Sequence, residues 1–562
     1  MAKSLVPKDG WEPYILSLTK SLREKYGQRN DDIDEIREHR AMEKEVRIPE
    51  EYKKTAAEHR GPYIYRFLDR VTSLLAHTFP TAKVLPLDPT DEEQRKSSKR
   101  EKWFNEGVYP LMSETEDVFL KFVDSTVADG TGVLKCLLQK HRWDVDRDKG
   151  ETDEDFNKKV QTVHRRNFPF VWRNVDTKAW FPLYDDFGLA ECVEVYERAA
   201  APLLRRYRLT ARDLNLNEER PGNVTYIEYW NRTHAVYMVH GKKVKTIKHN
   251  YGRVPYFEAQ ANVGKNSLAF PLKSLQDTFN SFVTIMLNYA YYAGFPIPAL
   301  EQVDPDAALP VNTDKEQVRL VQGETAVPPD GYKYVFLQYP DLSGEIHGLV
   351  AMLKEIMDEV SLAPILYGLP PGSDISGAAL HPLIAIAKAV LGPATASIAR
   401  AFNEQAAFML EIIEKILKEP VPVYVKITED GKVHDEWLEQ GPDDIKHYYK
   451  VVHTLQPVIP AERQLNTMYL ASLNAQGIVD KRYVREEGSG ISSPEEMADR
   501  VWLEAIEERP EFQGPLLAEF QAWLGERGPI AGFGTPETPP VGPGGPGVAQ
   551  MPGVQQPLPG QV

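Results

Sequence analysis

Between Asp277 and Glu301 the chain carries no charged residue at all. A stretch of that length has two destinations. One is the hydrocarbon core of a bilayer, which needs about 20 consecutive apolar residues; the other is the inside of a protein, as a helix covered by its neighbours. Asn280, Ser281 and Asn288 interrupt the residues before Gly294, and Pro296 and Pro298 follow it. These groups favour a buried helix, and no membrane contact is expected. A membrane-embedded oligomer using 278–300 is the alternative.

The chain has 562 residues, with 66 Lys+Arg against 82 Asp+Glu and a net charge of −16. That length exceeds one compact core and predicts several folding units or an elongated subunit with modules along one path. Cys136 and Cys192 are the only cysteines, which excludes a disulfide scaffold and points to a reducing compartment. The segment Met1–Asp9 lacks the apolar core of a signal peptide, so secretion is not expected.

Residues 12–60 read as charged helices. Asp31, Asp32, Asp34, Glu35 and Glu38 alternate with Arg37, Arg40 and Lys44 at helical spacing, which predicts a solvated or peripheral arm. Gly61-Pro62 opens an amphipathic helix through Ile64, Phe67, Leu68, Val71, Leu74 and Leu75 that ends near Pro80, and a second helix covers about 91–109. A helix from Phe119 ends at Asp129-Gly130-Thr131-Gly132, and Val133–Leu138 is a strand after a tight turn. Between 160 and 260, runs such as Trp180-Phe181, Val193–Tyr196 and Val224–Trp230 predict the strands of a mixed α+β body.

A helix then spans Pro271–Ala293, a Pro- and Gly-rich extended excursion covers 294–340, and another helix covers 344–362. The loop Tyr367–Ile375 leads into a long helical pattern to Lys418, in which Pro382 and Pro393 predict bends. A hairpin follows at Val421–Ile427 with its turn at Asp430-Gly431, then short helices over 461–526. The residues from Pro529 onward hold nine prolines, eight glycines and one charge, the composition of a disordered tail.

Signals for chemistry are sparse. Gly264-Lys265 comes nearest to a phosphate-cradling loop, but Ala259 stands where the first glycine belongs and Asn266 follows the lysine, so no ATP-driven motor is read here. His234, His240 and His249 lie among lysines and read as solvated surface rather than a metal site. Asp185-Asp186 could be a glycosidase carboxylate pair or a turn before Phe187-Gly188. Adjacent strand residues point to opposite faces, which favours the turn. A carboxylate-based hydrolase remains the enzymatic alternative, and no cofactor or metal is expected. Residues 200–275 hold 13 Lys+Arg against 5 Asp+Glu, a local +8 that leaves −24 for the rest. Such a patch fits nucleic-acid phosphates or an acidic face of an identical neighbour. A chain this acidic would hold DNA loosely, because Lys and Arg supply most non-specific affinity.

The order of segments resembles the portal proteins of tailed bacteriophages, the ring at the capsid vertex through which genomic DNA passes. The resemblance covers about residues 60–510. Asp129-Gly130-Thr131-Gly132-Val133-Leu134-Lys135 resembles the family's helix, glycine turn and strand. Glu228-Tyr229-Trp230 with Asn250-Tyr251-Gly252-Arg253-Val254-Pro255-Tyr256 is similar to its E-x-W … n-x-G-x-x-P-F strands, with Tyr256 in place of the usual phenylalanine. Ser376-Gly377-Ala378-Ala379-Leu380 resembles the S-G-x-A-L start of a long kinked helix. Gly477-Ile478-Val479-Asp480 and Ser493-Pro494-Glu495-Glu496 are similar to the crown.

The resemblance implies an α+β, mostly helical, elongated subunit that closes into a ring of about twelve copies. Its parts would be an N-terminal helical arm (1–60), a wing (61–265), a first stem helix (266–293), a clip (294–340), a second stem helix (341–362) and a tunnel loop (363–376). A long kinked helix with a wing hairpin (377–460), a crown (461–528) and the Pro/Gly-rich tail (529–562) would follow. It implies a virion structural protein at the capsid vertex, assembled in the host cytoplasm and not an enzyme. Double-stranded DNA would pass through the ring, and the terminase large subunit, the head-tail adaptor and the capsid and scaffolding proteins would be its partners. The candidate tunnel-loop residues are Gly368, Leu369, Pro370, Pro371, Gly372, Ser373 and Asp374, with an ordinary linker as the alternative. The candidate stem residues are Lys273, Gln276, Asn280 and Lys354. Glu301, Asp304, Asp306, Asp314 and Glu316 are the candidates for an acidic docking face.

Overall fold

Helices form where an apolar stripe recurs every three or four residues, and strands where aromatic and β-branched residues cluster. The computed structural model describes residues 7, 10–48, 56–114, 116–214, 216, 222–294, 298–306, 331–336, 344–361, 366, 385–429, 432–457, 460–479, 481 and 484. The elements in order are α1 (Trp11–Lys25), α2 (Gly27–Ala41), α3 (Tyr63–Ala76), β1 (Thr81–Lys83), α4 (Asp91–Lys102), α5 (Tyr109–Leu111) and α6 (Val118–Asp129). Next come β2 (Thr131–Leu138), α7 (Asp153–Arg166), β3 (Phe170–Val175), β4 (Trp180–Asp185), β5 (Gly188–Ala199) and α8 (Ala200–Tyr207). Strands β6 (Asn223–Asn231), β7 (His234–Val239), β8 (Lys242–Lys248) and β9 (Tyr256–Gln260) lead to α9 (Leu272–Gly294). The chain continues through β10 (Pro298–Gln302), β11 (Tyr332–Phe336), α10 (Gly344–Val360), α11 (Gly392–Ile412), β12 (Val421–Glu429), β13 (Lys432–Gln440) and β14 (Val452–Thr454). A further helix spans Pro460–Ala475.

Two sheets form the β part. One is three-stranded in the order β3-β2-β9, and the other is five-stranded in the order β4-β5-β6-β7-β8. Antiparallel two-stranded ladders join β1 to β14, β10 to β11 and β12 to β13. The largest core gathers α3, the segment Trp103–Val108 between α4 and α5, α6, α11 and β12, with Phe402 of α11 against Tyr109, Phe119 and Phe122. The Trp103 indole in the turn between α4 and α5 donates to Val421 O at 3.0 Å, which ties that turn to β12. The mixed α+β class and the helices expected near 61–80, 91–109, 119–129, 271–293 and 344–362 are found. The hairpin after Val421 is found too, extended to Glu429↔Lys432.

Three expectations are corrected. The arm is not solvated: Trp11, Ile15 and Leu22 of α1 are buried on one face of the five-stranded sheet with Val193, Ile227, Val236 and Met238. The alternating charges of α2 pair with the body, Arg37 with Asp129 and Asp176, Arg40 with Asp124, and Asp34 with Lys178. Pro393 does not bend a continuous helix. Residues 385–389 are helical, the chain turns at Val390-Leu391, and Pro393 stands in the first turn of α11, where its missing N–H costs nothing. His249 is buried rather than solvated, its Nε2 3.0 Å from Asn231 O, and burial pushes its pKa down to about 4. Pro382 and the residues from 485 onward, the proposed tail included, lie outside the described residues.

The arm's packing has a measurable consequence. Ile15 is fully buried, so Ile15→Ala is expected to cost about 2–4 kcal/mol of unfolding free energy. The cost is read from the urea midpoint; an unchanged midpoint would mean that α1 does not cover the sheet.

Candidate functional site: a buried charge knot and a ladder on the long helix

The motif at Asp129–Lys135 forms the joint between α6 and β2. Gly130 has a positive φ of 81°, and a Cβ there would lie 2.4 Å from Lys265 O. At Gly132 a Cβ would come within 2.1 Å of Thr126 Oγ1. Both glycines therefore let backbone and helix approach where no side chain fits. Asp129, buried at the end of α6, takes a bidentate grip from Arg37, with Nε 3.1 Å and Nη2 2.8 Å from its two oxygens.

Lys135, at the end of that motif, lies in the middle of β2. Glu194 of β5 and Glu228 of β6 are direct cross-strand partners in the other sheet. Two carboxylates facing each other in a buried position repel. Lys135 Nζ lies 2.6 Å from Glu194 Oε1 and 2.6 Å from Glu228 Oε2, so one ammonium bridges both. All three side chains are 8% exposed or less. Tyr196 donates to Glu194 Oε2 at 2.7 Å, and the Tyr256 hydroxyl donates to its Oε1. The phenol that sets Tyr256 apart from the phenylalanine of the resembled motif thus has a partner.

Burial alone would push the Lys135 pKa down, but the carboxylates outweigh it and hold the group above its ordinary value. Burial likewise favours a neutral Glu194, and Lys135 with Arg173 reverses this and holds its pKa below the ordinary one. The Lys135 ammonium also stands 5.0 Å from the Trp230 ring centre and 4.9 Å from that of Tyr256. Residues from all three quoted motifs of the β body therefore meet in one closed knot. It locks the two sheets together, and its enclosure leaves it no approach for a substrate. Glu194 was missed as a site from sequence; the available signal was a lone charge inside an apolar run, Val193-Glu194-Val195.

The uncharged helix α9 explains its own polar residues. Gln276, Asn280, Thr284 and Asn288 recur every four positions and form one stripe. Gln276 Oε1 accepts from Ile64 N at 2.9 Å and its Nε2 donates to Gly61 O at 2.6 Å. Asn280 accepts from Gly61 N at 2.9 Å, and Thr284 from His59 N at 2.9 Å. Asn288 accepts from Ala57 N at 2.9 Å and donates to Ala57 O at 3.0 Å. The segment 57–61 is strapped along α9 by its backbone, antiparallel to the helix. At the start of α9, Lys273 pairs with Glu35 and lies 3.6 Å from Asp32, both on α2.

The stem candidates are thus divided. Lys273, Gln276 and Asn280 hold the arm and the strap, whereas Lys354 lies exposed on α10, beside a cleft of about 280 Å³ that Tyr63, Arg66 and Asp358 also line. Glu301 pairs with Lys333 across β10–β11 at 2.9 Å, and Asp304 and Asp306 are exposed beyond it. Asp314, Glu316 and the tunnel-loop residues Gly368–Asp374 lie outside the described residues. Asp185 caps Phe187 N at 2.8 Å and pairs with Arg232 at 2.8 Å, as the turn reading requires. Among the described residues no helix is long and apolar enough to cross a membrane.

Lys135→Met leaves two buried carboxylates without their cation and is expected to cost about 3–5 kcal/mol. Adding Glu194→Gln and Glu228→Gln is expected to return most of that loss in a thermal melt; no recovery would contradict the shared-charge account. Asn280→Leu is expected to raise hydrogen exchange at the Gly61 amide by at least about tenfold, the equivalent of ~1.4 kcal/mol of lost protection. Unchanged exchange at Gly61 would contradict the ladder.

The family model for phage portal proteins of the SPP1 Gp6-like type matches residues 166–511. No curated protein matches the chain. Among solved structures, the neck of a native GTA particle computed with C12 symmetry aligns at TM-score 0.36 and 10% identity, covering 76% of this chain and 89% of that one. The neck of an empty GTA particle computed with C6 symmetry aligns at TM-score 0.38 with the same identity and coverage. Likenesses this distant add no weight. The family match spans more than half of the chain, from the end of α7 through the five-stranded sheet, α9 and the helices that follow, and on this ground the chain belongs to the phage portal protein family, structural proteins of the virion at the capsid vertex.

Proposed function

We propose that this chain closes into a ring of about a dozen copies and acts as a passive sleeve for double-stranded DNA during packaging and ejection, while a separate motor consumes the fuel. The observation that carries this reading is the α9–α10 pair. The two helices pack on each other, with Leu353, Met357, Phe279 and Phe282 in the largest core, and are bridged by the β10–β11 ladder. At 1.5 Å per residue they extend about 35 Å and about 25 Å, which suits a stem that bridges a capsid wall.

Their outer surfaces keep Ile285, Leu287 and Tyr291 on α9 and Leu349, Met352 and Val360 on α10 exposed. Large apolar side chains gathered on two neighbouring helices call for cover. In the ring that cover is the stem of the next copy. The boundaries given above for arm, wing, stem, clip and crown belong to the same proposal.

The exposed carboxylates at Glu301, Asp304 and Asp306, together with Asp314 and Glu316, form in this reading an acidic face for the terminase large subunit and the head-tail adaptor. The loop Gly368–Asp374 is proposed to narrow the bore and resist the return of packaged DNA. Capsid and scaffolding proteins would surround the ring.

Native mass measurement tests the reading. The chain is expected at about twelve times its 63.7 kDa mass. Ile285→Asp with Met352→Asp is expected to give folded single subunits, and a single-subunit parent chain or a variant that still assembles would overturn the reading. Removing residues 369–374 is expected to change DNA packaging or retention while rings still form; unaltered packaging and retention would remove the gating role.

A further inference from the structure

Two surface elements have little of their own chain against them. Helix α7 has no buried residue, although Phe156, Val160 and Val163 recur at helical spacing along it. It rests on β12 and on the short turn Lys140–Trp143. Strand β8 is the outermost strand of the five-stranded sheet and is exposed at every position except Val244, which is half-buried.

The two elements carry opposite charge. Residues 144–155, the approach to α7 and its first turn, hold seven Asp and Glu against Arg147 and Lys149, a net of 2 − 7 = −5. Lys242 and Lys245 of β8 sit opposite Val239 and Tyr237 in the ladder. Those two β7 residues pack with Leu203 and Leu204 of α8. The lysines therefore emerge on the side where Arg205 and Arg206 of α8 are exposed. Lysines on an edge strand also prevent pairing with a stray strand. A cationic face and an acidic stretch leading into an under-covered helix, in the same chain, make a complementary pair.

We infer that the α8–β8 face of one copy docks on the acidic approach and first turn of α7 in the next copy around the ring. This rests on the ring reading and adds to it the contact between subunits outside the stem. A contact between two different patches repeats head to tail, and it closes when the rotation between copies closes. Complementary charge at such a contact fixes register and suppresses wrong pairings. Being exposed, it weakens as salt screens it.

Native mass measurement at several salt concentrations on three proteins tests this: the unchanged chain, the variant Arg205→Glu/Arg206→Glu/Lys242→Glu/Lys245→Glu, and that variant with Asp144→Lys/Asp146→Lys/Glu154→Lys added. At about 0.15 M salt the first is expected as a ring. The second is expected to form at least about tenfold less ring, with an unchanged circular dichroism spectrum, and the third to recover it.

An undiminished ring in the second protein overturns this contact and leaves the ring reading standing. A ring lost in the second and not restored in the third also overturns it, because the cations then meet some other surface. A second protein that assembles normally but no longer binds a double-stranded DNA probe assigns the face to nucleic acid and overturns the inference. If the unchanged chain forms no ring, the ring reading itself falls, and this contact with it.

Should the charge-reversed chain fail to fold, Lys245→Cys with Glu154→Cys gives a second readout. Oxidation of assembled rings is expected to join copies into a covalent ladder, since Cys136 and Cys192 are both buried. Rings that yield no such ladder overturn the contact.

Discussion

One buried ammonium shared between two carboxylates holds the two sheets of the body in register. Glu194 and Glu228 face each other across β5 and β6, and Lys135 arriving from β2 bridges the two buried carboxylates. The bridge fixes more than charge. It sets which residue of the three-stranded sheet meets which residue of the five-stranded one, and a shift of β2 by one residue would turn Lys135 to the other face and strand both acids. Apolar packing from Val133, Trp180, Trp230 and Tyr256 surrounds this point and supplies bulk stability, whereas the knot supplies uniqueness.

From that frame the long helix is positioned by a different device. Gln276, Asn280, Thr284 and Asn288 grip the backbone of 57–61, so the side chains that keep α9 from being a membrane span are the ones that attach it to the body. The arm adds a second attachment through Glu35 with Lys273, and through His39 beside Asp277 at 3.3 Å. Most of the length of α9 is thereby held by two elements from the start of the chain. Its apolar residues Ile285, Leu287 and Tyr291 stay exposed, and the proposed ring would cover them.

Much of this was legible in the sequence, because helices with an apolar stripe and strands with aromatic runs announce themselves locally. Ile64, Phe67, Leu68 and Val71 are buried as their spacing requires, and Gly130 and Gly132 stand at a turn and a close approach. What local reading missed was long-range pairing. The alternating charges of α2 look the same whether their partners are water or Asp124, Asp129 and Lys178, and the stripe Trp11, Ile15, Leu22 that buries α1 was overshadowed by them. Lys135 and Glu228 were noticed as parts of separate motifs, but nothing in either motif tells that they touch. His249 looked exposed among lysines, yet it sits under Trp230 and Tyr251 just past the end of β8.

In the ring proposed above, the body is the frame and α9, held along it by 57–61, would shape an axial opening by repetition. A three-dimensional electron microscopy reconstruction of the purified assembly tests this most directly. The account predicts a closed ring with an opening wide enough for duplex DNA, lined by α9–α10 pairs, with 57–61 still seated along the polar stripe of α9. An assembly without an axial opening, or one in which Gln276, Asn280 and Thr284 have left the 57–61 backbone and face the bore, would contradict it.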